Sequence, residues 1–102
     1  MSTIQLKLND QKRGAFFIEE GDERLAEMVI AISDQRLIVY HTEVSEKLRG
    51  QGIAGKLLDQ MVVYARSNGL KVVPLCPYVH AQFKRHAELY KDIWDQNWKQ
   101  SV

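Results

Sequence analysis

The sequence predicts an α+β fold, and three observations carry that prediction. Residues 4–44 hold four runs in which apolar residues alternate with polar ones or cluster as β-branched and aromatic stretches, parted by short turn signals. The segment from about Gln51 to Ser67 switches to helical spacing. A short apolar run ending at Cys76 then leads into a second helical segment. Strands joined by short turns make an antiparallel meander, and a strand–helix–strand crossover makes the fourth and fifth strands parallel.

Each element has its own reason. Ile4, Leu6 and Leu8 alternate with Gln5 and Lys7, and "GAFFIEE" forms the second run. A turn at Gly21-Asp22 leads into "ERLAEMVIAI", which places Ala26, Met28, Ile30 and Ile32 on one face. "SDQR" turns the chain again, into "LIVYHTEV". Ala54, Leu57, Leu58, Met61, Val62 and Ala65 form the stripe of the first helix. Asn68-Gly69 stops it, because glycine takes the left-handed conformation cheaply. "LKVVPLC" reads as a buried strand that Pro74 interrupts or splays, since proline cannot donate to a ladder. A second helix is expected over about Val79–His86 with Phe83 inward. Leu89, Tyr90, Ile93 and Trp94 suggest a further helical turn on the sheet, and Trp94 with Trp98 a core-packing stripe. The order is β-β-β-β-α-β-α, sheet and helices around one core.

Composition bounds the function. A chain of 102 residues suggests one domain spanning residues 1–102. Its formal net charge of +1 argues against a general nucleic-acid binder. Cys76 is the single cysteine, so no intrachain disulfide forms. No H-x-x-x-H or C-x-x-C spacing joins it to the histidines, so no metal is expected. The N-terminus alternates and lacks a secretory apolar core, and no apolar run approaches the ~20 residues of a membrane span. A cytoplasmic protein away from membranes, a monomer or weak dimer, is the expectation.

The stretch "RGQGIAGKLL", Arg49–Leu58, carries the chemistry. Gly50, Gly52 and Gly55 spell G-x-G-x-x-G; Gly50–Lys56 spell G-x-x-x-x-G-K; Arg49, Gly52 and Ala54 spell [RQ]-x-x-G-x-[GA], the pyrophosphate loop of acetyl-CoA-binding proteins. All three exploit one mechanism: unpaired amides and partial positive charge at a helix N-terminus attract anions. Context separates them. A P-loop needs Ser or Thr after the lysine, where Leu57 stands. A dinucleotide fold needs the loop after its first strand and an acid about 20 residues on, but here four strands precede it and the next strand ends in Leu75-Cys76-Pro77. The meander, loop, helix and splayed strand fit the third reading.

"HTEVSEKLRGQGIAGKLL", with "VVPLCPYV" and "RHAEL", resembles the compact, truncated members of the GNAT N-acetyltransferase superfamily, over roughly Gly14–Tyr90. The resemblance implies a GNAT-like mixed sheet whose parallel strands, Leu37–Val44 and Lys71–Cys76, splay into a slot for acetyl-CoA. The amide-rich pantetheine arm would pair with exposed strand groups there, at Thr42 and Val44 among others. The pyrophosphate would lie on the loop formed by Arg49, Gly50, Gln51, Gly52, Ile53, Ala54, Gly55 and Lys56. Lys47, Lys84 or Arg85 would meet the adenosine 3′-phosphate. No metal is implied.

Acetyl transfer needs a neutral amine, a polarised thioester carbonyl and a proton for the departing thiolate. Glu43 and His41, two apart on one strand, share a face, and either can accept the amine's proton; Glu43 is the first choice. A lone cysteine is ordinarily a small buried apolar residue. The resemblance instead places Cys76 at the thioester, as nucleophile, proton donor or positioning group, with His41 as a candidate base. Lys84 stands where the wider superfamily has its proton-donating tyrosine, so Tyr78 or Cys76 would substitute, or the truncated members use another mechanism. The usual helix pair between the first two strands is absent, which implies an open acceptor surface suited to a peptide or protein amine. The leading expectation is an acetyltransferase acting on an amine. The alternatives are a CoA-binding module with little turnover and a small interaction protein that keeps only the fold.

Overall fold

A computed structural model describes residues 3–96. Trp98, and with it the proposed tryptophan stripe, lies outside the described residues. Four antiparallel strands, β1 (Gln5–Leu8), β2 (Arg13–Glu20), β3 (Glu23–Ser33) and β4 (Arg36–Val44), form the meander. A 3-10 turn at Glu46–Leu48 leads into α1 (Ile53–Ser67). The chain returns through β5 (Lys71–Pro74), which lies parallel to β4, then α2 (Pro77–Arg85) and a short α3 (Ala87–Tyr90). The sheet order β1-β2-β3-β4-β5 follows the sequence. The α+β mixed sheet expected from the sequence is the one observed.

Side-chain alternation divides the sheet into two unlike faces. Phe16, Ile18, Met28, Ile30, Leu37, Val39 and Val72 point into one core cluster. That cluster also takes the α1 stripe, Val79 and Phe83 of α2, and Tyr90 of α3. Phe83 stacks on Tyr90 with centroids 4.6 Å apart and meets Trp94 edge-on at 5.7 Å. The other face shows Ala15, Phe17, Glu27, Val29, His41 and Glu43, which the strand registers place side by side. No described helix buries a side chain against it. Its Phe17 is shielded by the Arg24 guanidinium, 4.1 Å from the ring centroid.

Local chemistry explains where elements begin and end. The Asn9 side chain accepts hydrogen bonds from the amides of Gln11 and Arg13, closing the first turn. The expected start of α1 at Gln51 moves to Ile53, because Gly52 holds a left-handed φ of 66° as the N-cap. The second helix starts two residues earlier than the spacing indicated, because Pro77 suits the first helical position. After α3 the chain runs beside β5: Val72 N–H donates to Ile93 (2.6 Å) and Asp95 N–H donates to Val72 (2.9 Å).

Arg66 of α1 clamps this terminal segment, donating to both carboxylate oxygens of Asp92 (2.9 and 3.1 Å) and to the Leu89 carbonyl (2.7 Å). The hydrogen bond from Arg66 holds the Asp92 carboxyl below its ordinary 3.8. A depressed folded-state pKa stabilises the protein fully above that ordinary value, and the stabilisation is lost as pH falls through the folded value. Asp92→Asn should therefore flatten the acid limb of a stability–pH curve. Because the pair is exposed, the loss at neutral pH should stay within about 1 kcal/mol by thermal melting.

A second test concerns the β1–β2 pair. A Cβ at Gly14 would stand 1.8 Å from the Lys7 carbonyl oxygen, so the strands meet there only around glycine. Gly14→Ala should cost about 2 kcal/mol or more in denaturant unfolding, since the obstacle is backbone that cannot rotate away.

Candidate functional site

β4 outruns its parallel partner. The β4–β5 ladder pairs Arg36–Val39 with Lys71–Pro74 and stops. Two local features coincide at that level. Pro74 has no N–H to continue the ladder. On the other side of β4 the register shifts where Val29 faces His41 and Ile30 faces Val39, leaving Tyr40 as an extra residue. One last bond, Cys76 N–H to the Val39 carbonyl (2.9 Å), holds the chain before it turns into α2. Beyond it, Tyr40–Val44 has no strand beside it on the β5 side.

This edge exposes specific backbone groups. Ser45 N–H donates to Leu25 on the β3 side (2.7 Å). Alternation then turns the N–H and C=O of Thr42 and Val44 the other way, into the gap. The Thr42 side chain lies on the helix face, its hydroxyl 3.4 Å from the Cys76 sulfur. Cys76 is only 2% exposed and is the N-cap residue of α2, its carbonyl accepting from His80 N–H.

The glycine loop closes the same end of the gap. Gly50 and Gly52 have φ of 80° and 66°, conformations that glycine adopts without strain. No side chain caps α1. Its first intrahelical bond runs from Lys56 N–H to Gly52, so the amides of Ile53, Ala54 and Gly55 precede the ladder. The amides of Arg49 and Gln51 are already spent on Glu46 and Leu48. The side chains of these two residues and of Lys56 are exposed. Ile53 offers only its amide, since its side chain belongs to the core. Arg49 is 81% exposed and pairs loosely with Glu46 at 3.3 Å. Of the other cations expected near the loop, Lys47 is paired with Glu23 at 2.7 Å, while Lys84 and Arg85 are exposed on the last turn of α2.

Tyr78 ties the two halves together. Its hydroxyl lies 3.9 Å from where a Cβ on Gly55 would be, so α2 reaches the first turn of α1. Burial, with smaller contributions from Tyr90, Asp59 and Cys76, raises its pKa above 10.0. The hydroxyl therefore stays protonated near pH 7.

The remaining predicted residues face the other way. His41 and Glu43 sit on the face without helices, opposite Val29 and Glu27. His41 Nε2 lies 3.5 Å from a Glu27 oxygen, and Glu27, His41 and Glu43 offer ligand atoms within 4.8 Å of one another. The structure thus brings Thr42 to Cys76 and Glu27 to His41. It does not bring His41 to Cys76, because the sheet stands between them and the thiol has no imidazole base there. Glu27 was not among the residues singled out from the sequence. Its signal was its place in the alternation, opposite Glu43, which only the strand register reveals.

A mixed sheet whose parallel strands part beside an uncapped, glycine-opened helix defines the class as a GNAT-type fold. The sequence model of the GCN5-related N-acetyl-transferase family matches residues 15–93. The chain belongs to that family. The solution structure of a GCN5-like protein from Staphylococcus aureus superposes with a TM-score of 0.68 and 30% identity, covering 92% of this chain and 90% of that one. A ribosomal-protein-alanine N-acetyltransferase from Brucella melitensis biovar Abortus 2308 shares the fold at a TM-score of 0.60 and 22% identity, covering 91% of this chain and 70% of that one. No curated protein matches significantly. No helix among the described residues is long and apolar enough to cross a membrane.

The left-handed glycines give a direct test. Gly52→Ala meets open space but must hold a positive φ. It should lower stability by about 1–2 kcal/mol, seen in chemical denaturation, while the fold is kept.

Proposed function

We propose that the protein binds acetyl-CoA in the gap between β4 and β5 and transfers the acetyl group to an amine. The observation that carries this reading is the uncapped N-terminus of α1 beside the gap that ends at Cys76. In this reading the free amides of the loop and first turn hold the pyrophosphate, helped by Arg49, Gln51 and Lys56 side chains. Charge-assisted bonds of this kind are worth about 1.5–3 kcal/mol each when shielded. The outward groups of Thr42 and Val44 pair with the pantetheine amides like an added strand. The thioester then lies at the level of the Thr42–Cys76 pair.

The amine nitrogen attacks the thioester carbonyl directly. Glu43, with His41 beside it, takes the proton from the acceptor ammonium. A strand N–H near Val44 stabilises the developing oxyanion. The carbon–sulfur bond breaks, Tyr78 or Cys76 protonates the CoA thiolate, and the second nitrogen proton restores the phenol or thiol, leaving a neutral amide. The burial of Cys76, its Thr42 partner and its separation from His41 favour a thiol that positions or protonates over one that carries the acetyl group. The same separation favours a competing reading, a CoA-binding module with little turnover.

Three measurements test these readings. Acetyl-CoA at millimolar concentration should shift the amide signals of Gly50–Lys56; unmoved signals would end both. With an amine panel, acetyl-CoA consumption should be measurable, and Glu43→Gln should slow it about 10²–10⁴-fold without altering the binding shifts. Cys76→Ala should also slow turnover, and intact turnover would remove the thiol from the mechanism. Mass spectrometry of the protein mixed with acetyl-CoA should show retained ligand without a covalent acetyl adduct.

A further inference from the structure

The face without helices is ordered in rows that run across the strands. One row is Lys7–Ala15–Val29–His41; the next is Gln5–Phe17–Glu27–Glu43. Three strand spacings separate Lys7 from His41, about 14 Å. Two depressions lie along these rows and share Arg24 and Glu27 as a common wall. One, of about 270 Å³, is bordered by Glu43, Val44 and Ser45. The other, of about 390 Å³, is floored by Ala15, Phe17 and Val29, with Lys7 and Arg13 at its rim.

The charges along this track are separated by sign. At the β4 end Glu27 and Glu43 stand directly opposite each other, an arrangement that costs stability unless a cation joins it. Arg24 touches Glu27 but is shared with Glu19, and it spreads its guanidinium over Phe17. Glu43 has no ion pair among the described residues. At the β1 end the Lys7 and Arg13 side chains likewise have none. The β4 end thus carries Glu43 without an ion pair and the β1 end two cations without one, joined by a floor of buried Ala15 and Phe17 and half-buried Val29.

We infer that the acceptor is an extended peptide with a free amino terminus and an acidic side chain about four residues along, since 14 Å corresponds to about four residues of extended chain. This rests on the acetyl transfer proposed above. The ammonium sits among Glu27, His41 and Glu43, where its proton can leave. Small side chains lie over Ala15 and Val29. The carboxylate meets Lys7 and Arg13. Exposed charge pairs are individually weak, so they select among amines more than they bind them tightly.

The test uses the full chain loaded with CoA and two pentapeptides with free amino termini, Ser-Ala-Ala-Glu-Glu and Ser-Ala-Ala-Lys-Lys. Binding is followed by amide shifts and acetylation by mass spectrometry. The acidic peptide should shift signals of Lys7, Ala15, Val29 and His41, and with acetyl-CoA it should be acetylated about five- to tenfold faster than the basic one. The double variant Lys7→Glu, Arg13→Glu should reverse the order while CoA still shifts Gly50–Lys56. Equal use of both peptides, preference for the basic one, or peptide shifts confined to another surface would overturn the inference. So would failure of either peptide to bind while CoA does. Loss of the CoA shifts themselves would instead count against the coenzyme site.

Discussion

The parting of β4 from β5 is the constraint on which the rest depends. A parallel pair continued to Val44 would use the outward amides and carbonyls of the strand in its own ladder. Pro74 ends that ladder from one side, and the extra residue at Tyr40 reshapes β4 from the other. What is left is a stretch of β-strand with hydrogen-bonding groups that have no strand to meet. Such groups are costly when buried and useful when a ligand rich in amides can lie against them. The single bond from Cys76 to Val39 fixes where the gap starts.

The same geometry divides labour between the two faces of the sheet. The helix face carries the core, and with it the thiol, the Thr42 hydroxyl and the phenol of Tyr78. The other face carries the carboxylates and the imidazole. Adjacent residues of one strand, Thr42 and Glu43, therefore belong to different environments. A coenzyme threaded between β4 and β5 would have its sulfur near the first set and its acetyl carbon accessible from the second. This sidedness follows from the two-residue period of a strand and needs no loop to arrange it.

Much of this was legible in the sequence. Strand order, the crossover helix, the stop at Gly69 and the interruption at Pro74 all follow from periodicity and from residues with restricted backbone chemistry. The loop was legible because Gly50 and Gly52 need positive φ, a requirement written into residue type. The pairing of His41 with Glu27, and its separation from Cys76, were not. Both depend on register, and the register of β3 against β4 includes an extra residue that no alternation pattern announces. The start of α2 at Pro77 was missed because the apolar spacing begins only at Val79. The place of Glu27 beside His41 was hidden because a charged residue in a strand reads as ordinary solvent-facing surface until its neighbour across the ladder is known.

The chain passing beside β5 has a consequence for self-association. Ile93–Asp95 occupies the outer rim of that strand through bonds to Val72, so another molecule cannot lengthen the sheet there without displacing it. Among the described residues the sheet's other boundary is β1, four residues long and carrying Lys7. A short, charged border is a poor template for adding strands. Both borders of the sheet among the described residues are therefore poor places for a second sheet to join edge to edge.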